Sequence, residues 1–127
     1  GKVHLFDPVE IGAASPDLLP GIQAIAAYGH TPGHTAFLIR SSDVKWLIWG
    51  DVTHAMPIQM PCPDVALSFD VDSETAIRTR KQALEYAARN NITIGGMHIS
   101  FPAVGNVKKA TEGEGYQFSP ICICEGI

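Results

Sequence analysis

The chain is poor in several things, and each shortage removes a class of protein. It has only three cysteines, Cys62, Cys122 and Cys124, an odd number without regular spacing. That excludes a small fold stapled by a disulfide framework and makes reduced thiols the default. Cys122-x-Cys124 lies in "SPICICE", where alternation suits a terminal strand and a thiolate metal site would lack further ligands. Positive charge is also short: nine Lys and Arg against thirteen Asp and Glu give a net charge of −4. No basic surface is available for a phosphate backbone, so nucleic acid is not an expected partner. Long apolar runs are missing as well, so no membrane-spanning segment is expected. No leader is expected from the opening residues, because Gly1-Lys2 runs straight into "VHLF". With 46% hydrophobic and 17% charged residues, the composition points to a soluble domain of the cytoplasm or the periplasm, without choosing between them. The 127 residues are enough for one domain.

What is present is organised by short apolar runs that stop at polar loops. Val3–Phe6 reads as a strand and is followed by a proline- and glycine-rich loop from Asp7 to Gly21. Ile22–Tyr28, Thr35–Arg40 and Lys45–Trp49 read as three strands, the last two separated by the turn signal "SSD". A proline-studded segment, "MPIQMPCPD", precedes a helix. Asp72 or Ser73 caps that helix, Glu74 favours its positive end, and its apolar residues gather on one face as far as Arg89. Asn90-Asn91 ends it. Ile92–Met97 reads as a buried strand, and Val104–Ile121 as a hairpin around "EGEG".

Three metal-type side chains sit just past strand ends: His34 after the first core run, Asp51 after the third, and His98 after Ile92–Met97. Strand ends meet at one sheet edge, so these residues can converge, and imidazole plus carboxylate suits zinc or a related divalent ion. Any one of them alone reads better as a turn or capping residue. Pro32-Gly33 before His34 and Gly50 before Asp51 favour the joint reading, because both bend the chain sharply at the candidate ligand.

"HTPGHT" (His30–Thr35), "GD" (Gly50-Asp51) and "HISFPAVG" (His98–Gly105), in this order, resemble the later metal motifs of the metallo-β-lactamase-fold hydrolase superfamily. "WGDVTHAMPIQMPCPDVALSFDVD" and "TRKQALEYAA" are similar to the branch that contains methyl parathion hydrolase. The resemblance runs from about Ile22 to Pro120 and implies an α+β fold. The chain would be the C-terminal half of an αββα four-layer sandwich, mostly one mixed sheet with helices on its outer face. It further implies that His34 ligates one metal, Asp51 bridges two, and His98 ligates the second. The parent would be a metal-dependent hydrolase with two divalent ions per complete site. Zinc is the default, and manganese, iron and cobalt are allowed by the ligand types. A metal-bound hydroxide would attack an ester, lactone or phosphotriester.

His30 is expected to support the loop, and His54 either faces the substrate cleft or caps a short helix. Phe101 and Met56 are candidates for a substrate pocket or, equally, for packing. Asp70 and Asp72 read as capping carboxylates.

The family's upstream motif, His-x-His-x-Asp-His, does not occur; His4 is the only histidine before His30. Residues 1–127 therefore read as a single partial domain without its N-terminal half. Three consequences are expected. The inner face of the sheet should be open, to be covered by the missing half or by a second copy in a homo-oligomer. Metal binding should be weak or absent, because a catalytic zinc usually has about three protein ligands. Hydrolase activity should belong to the parent protein rather than to this chain alone. The competing reading is a non-catalytic domain of the same fold that serves in binding or assembly.

Overall fold

The computed structural model describes residues 2–122. Six strands form one sheet in sequence order: β1 (Ile22–Ala26), β2 (Thr35–Ser41), β3 (Val44–Ile48), β4 (Thr93–Gly95), β5 (Val104–Lys109) and β6 (Tyr116–Pro120). All neighbours are antiparallel except β3 and β4. A parallel pair needs a crossover, because its connection must return to the starting edge. Here the crossover carries a 3₁₀ turn at Gly50–Val52, the single-turn helix α1 (Met56–Gln59) and the long helix α2 (Ser73–Arg89). Alternating direction makes β1 parallel to β3, so β1, β3 and β4 all point their C-terminal ends at the same sheet edge.

Helix α2 forms where its local signals agree. Asp72 is the cap, its carboxylate accepting from the Thr75 amide at 3.0 Å, and Asn91 takes the left-handed turn (φ 50°) beyond the last residues. Its buried positions, Ala76, Arg80, Ala83, Leu84 and Ala87, recur at helical spacing on one face. The alanines let the helix approach the sheet closely, over Ile25, Leu38, Leu47, Ile94 and Val107.

Among the described residues no helix covers the opposite face of the sheet. Ile39 pairs with Trp46 and Phe37 with Ile48 across β2 and β3, so each pair lies on one side. Ile39, Trp46 and Val44 are exposed. This is the open apolar face expected of a single sheet from a two-sheet sandwich.

Three local expectations are corrected. Val3–Phe6 is not a strand: Val3 and Leu5 are exposed, and the contacts to β1 come later, from Val9 to Ala24 and Ala26 and from Leu18 and Leu19 to Ile22. Phe6 instead lies with its ring 6.4 Å from Phe37. The strand expected over Ile92–Met97 is reduced to Thr93–Gly95. The final strand stops at Pro120, so Cys122 is outside it, exposed and unpaired like Cys62; Cys124 lies outside the described residues.

Candidate metal centre

The edge where β1, β3 and β4 end gathers His30, Asp51, His54 and His98. β1 runs into the loop that carries His30. Its mouth is closed by the Ala27 amide on the His34 carbonyl, at 3.0 Å. The loop is tied to the segment before α2 by the Val71 amide on the His30 carbonyl and the Asp72 amide on the Gly29 carbonyl, at 3.2 and 2.9 Å. β3 runs through Gly50, whose φ of 58° suits glycine; a Cβ there would stand 2.6 Å from His34 Nε2. β4 leads to His98, itself in the left-handed region at φ 59°.

The carboxylate of Asp51 is the hub. Its Oδ2 faces His30 Nε2 at 3.7 Å, while its Oδ1 faces His98 Nε2 at 3.1 Å and His54 Nε2 at 4.0 Å. The rings of His30, His54 and His98 follow one another with centroids 4.7 and 4.8 Å apart. Two donor triads result, His30/His54/Asp70 and Asp51/His54/His98, each with its donor atoms within 4.8 Å of one another. His54 titrates below its ordinary 6.5, first because it is buried and then because His30 lies beside it, with Asp51 opposing the shift. Its Nδ1 is buried without a hydrogen-bond partner. A set of imidazoles around a carboxylate fits a first-row divalent cation. Several of these donors face one another rather than the protein.

The two histidines of the "HTPGHT" loop exchange their expected places. His34 donates from Nδ1 to the Ala27 carbonyl at 2.7 Å and accepts at Nε2 from the Asp51 amide at 3.1 Å. Both ring nitrogens are thus engaged by backbone, which leaves none for a metal. His30, expected as support, presents Nε2 to Asp51. Met56 takes the packing role, buried in the core with its sulfur accepting from the Thr53 hydroxyl at 3.1 Å. Phe101 is 91% exposed beyond β4. His54 sits inside the cluster rather than capping α1, whose cap residue is Ala55.

Asp70 and Arg80 went unrecognised in the sequence. Asp70 does not cap α2 but pairs with His30 Nδ1 at 3.3 Å and with Arg80 at 3.6 Å. A signal existed for Arg80: it falls in the middle of the apolar stripe of α2, where a charge calls for a buried partner.

Comparisons with solved structures follow this geometry. The chain is similar to AbOPH, a hydrolase of the beta-lactamase superfamily, with a TM-score of 0.80 and 31% identity over 87% of this chain and 37% of that one. It is similar to AidC, a dizinc quorum-quenching lactonase, with a TM-score of 0.78 and 26% identity over 92% of this chain and 38% of that one. A probable metal-dependent hydrolase from Staphylococcus aureus shares the fold, with a TM-score of 0.60 and 22% identity over 84% of this chain and 38% of that one. The chain thus spans less than two fifths of each. No family model and no curated protein matches it.

Proposed function

From a chain that carries part of the metallo-β-lactamase superfamily fold, we propose the metal-holding C-terminal part of a hydrolase that acts on an ester, lactone or phosphotriester. Among these, a lactone is favoured by the similarity to AidC, and the similarity to AbOPH keeps other hydrolysable substrates in view. The observation that carries the reading is the two-sided use of Asp51: one carboxylate oxygen faces His30 and the other faces His98. A carboxylate so placed is suited to bridge two ions, with His30 on one and His98 on the other. His34 is the support instead, fixing the Asp51 amide and the Ala27 carbonyl.

A bound divalent ion would supply a Lewis acid and lower the pKa of a coordinated water. The chain's own contribution is orientation. The His34 contact sets where Asp51 leaves the backbone, and the Gln59 side chain accepts from the His54 and Ala55 amides at 2.8 and 3.1 Å, fixing the segment that carries His54. His54, kept neutral by burial and by His30, is suited to accept a proton or to contact substrate at the mouth between His30 and His98.

One histidine per ion and a shared carboxylate are fewer than the ligands of a tight site. The isolated chain is therefore expected to bind metal weakly and to lack hydrolase activity. The rest of a longer chain would supply the missing ligands and cover the open face of β2 and β3. Calorimetric titration with zinc tests this: weak binding that Asp51→Ala abolishes is expected. Tight uptake of two ions per chain would overturn the incompleteness, and indifference to Asp51→Ala would overturn the site. Light scattering at micromolar concentration should show self-association through the open face, and a monomer counts against that part.

A further inference from the structure

Resting on the reading of His30 as a ligand, we propose that Asp70 and Arg80 are a positioning pair that fixes the tautomer and direction of the His30 ring. Both side chains are 1% exposed. Arg80 reaches from α2 into the crossover, where Nε donates to the Val52 carbonyl at 2.9 Å and Nη1 donates to the Pro63 and Val65 carbonyls at 2.8 and 2.9 Å. The remaining nitrogen, Nη2, faces Asp70 Oδ2 at 3.6 Å. That same oxygen accepts from the Leu67 amide at 3.5 Å. Asp70 Oδ1 is left for His30 Nδ1, at 3.3 Å.

The consequence is directional. A carboxylate oxygen can only accept, and of the two that face the ring Asp70 Oδ1 lies within hydrogen-bond distance while Asp51 Oδ2, at 3.7 Å, does not, so the His30 proton sits on Nδ1 and the lone pair sits on Nε2, the nitrogen turned to Asp51. Arg80 also holds the carbonyl of Val52, the residue after Asp51. One buried guanidinium thereby sets the positions of two arms of the site: the bridging aspartate through its backbone, and His30 through Asp70. A buried ion pair that served only to hold α2 in place would not need to end on an imidazole, nor to reach the residue beside Asp51.

The pair makes an unusual prediction for Asp70→Asn, an isosteric change. Two donors, Arg80 Nη2 and the Leu67 amide, meet the Oδ2 position, so the amide oxygen must occupy it. The amide NH₂ then faces His30 Nδ1 and donates to it, which moves the ring proton to Nε2, as an asparagine beside a histidine imposes the wrong tautomer elsewhere. Long-range proton–nitrogen spectra of the 15N-labelled chain at pH 8 read both rings directly. The expected result is that His30 changes from the Nδ1–H to the Nε2–H form while His34, held by backbone, keeps Nδ1–H. Cobalt affinity of the same variant should fall tenfold or more. In Asp70→Asn/Arg80→Met the amide is released from the guanidinium, and partial return of His30 to Nδ1–H is expected. If that double variant does not fold, the single variant decides. A folded Asp70→Asn chain in which His30 keeps Nδ1–H overturns the proposal. The ring spectra need no metal, so a wild-type chain that shows the expected tautomers but takes up no cobalt would fail the metal reading and leave the positioning pair standing.

Discussion

The packed body under α2 and the donor cluster at the sheet edge both bury polar side chains, and they use them in opposite ways. In the body Gln59 and Arg80 end mainly on backbone. Gln59 accepts two amides and donates to the Val65 carbonyl at 3.1 Å, and Arg80 donates to three carbonyls. In the cluster the groups end on each other: His30, His54 and His98 surround Asp51, and His54 Nδ1 has no partner. A polar group satisfied by backbone stabilises a fold; one that faces only other donors is held ready for something absent from the chain itself. The "HTPGHT" loop contains one histidine of each kind.

The comparison is broken most forcefully in the body. Gln59→Leu would leave the His54 and Ala55 amides without partners, while the Val65 carbonyl keeps Arg80, at about 1–3 kcal/mol for each unsatisfied group before relaxation. A loss of about 3 kcal/mol in urea unfolding is expected, and a loss under about 1 kcal/mol would mean that water or a shifted loop replaces the side chain. His34→Ala comes next, with about 2 kcal/mol lost for two backbone bonds. His30→Ala, in the same loop, should cost about 1 kcal/mol, because one bond to Asp70 is lost while Asp70 keeps Arg80 and the Leu67 amide. The order reverses when cobalt binding is measured: His30→Ala should weaken it at least tenfold. Equal metal affinity in the His30 variant and the wild type would erase the distinction between the two regions.

Much of this division was legible in the sequence, and its failures have physical causes. β1, β2, β3 and α2 were readable because each has a clear period or run and a chemical stop, such as Asp72 at the start of α2 and Gly50 after β3. Asp51 and His98 could be singled out because strand ends gather at an edge. The choice between His30 and His34 could not be made from spacing, since it depends on which ring finds the Ala27 carbonyl and the Asp51 amide across the loop mouth. Asp70 lies near a helix start and was read as a cap, yet the neighbouring Asp72 already fills that place, which frees Asp70 to turn inward. Val3–Phe6 has strand-like residues but no partner edge, because Val9 bonds the outer edge of β1, and a strand is a property of a pair.

The smallest effect expected is a pH dependence that belongs to the cluster alone. Burial, and then His30, depress the pKa of His54 below its ordinary 6.5 in the folded chain, with Asp51 opposing. The unfolded chain therefore binds the more protons in the window from the folded value up to 6.5, and stability rises with pH there. Read downward, the contribution of His54 is fully present above 6.5 and is lost as the pH falls through the folded value. Urea unfolding of the metal-free chain in EDTA, repeated between pH 7.5 and 5, should show that decline, and His54→Gln should flatten it. His34, held by an amide on one side and a carbonyl on the other, gives a control from the same edge: in the His34→Ala chain the decline should persist from a lower starting stability. A decline that survives His54→Gln unchanged would assign the acid sensitivity to another group and remove this signature of the cluster.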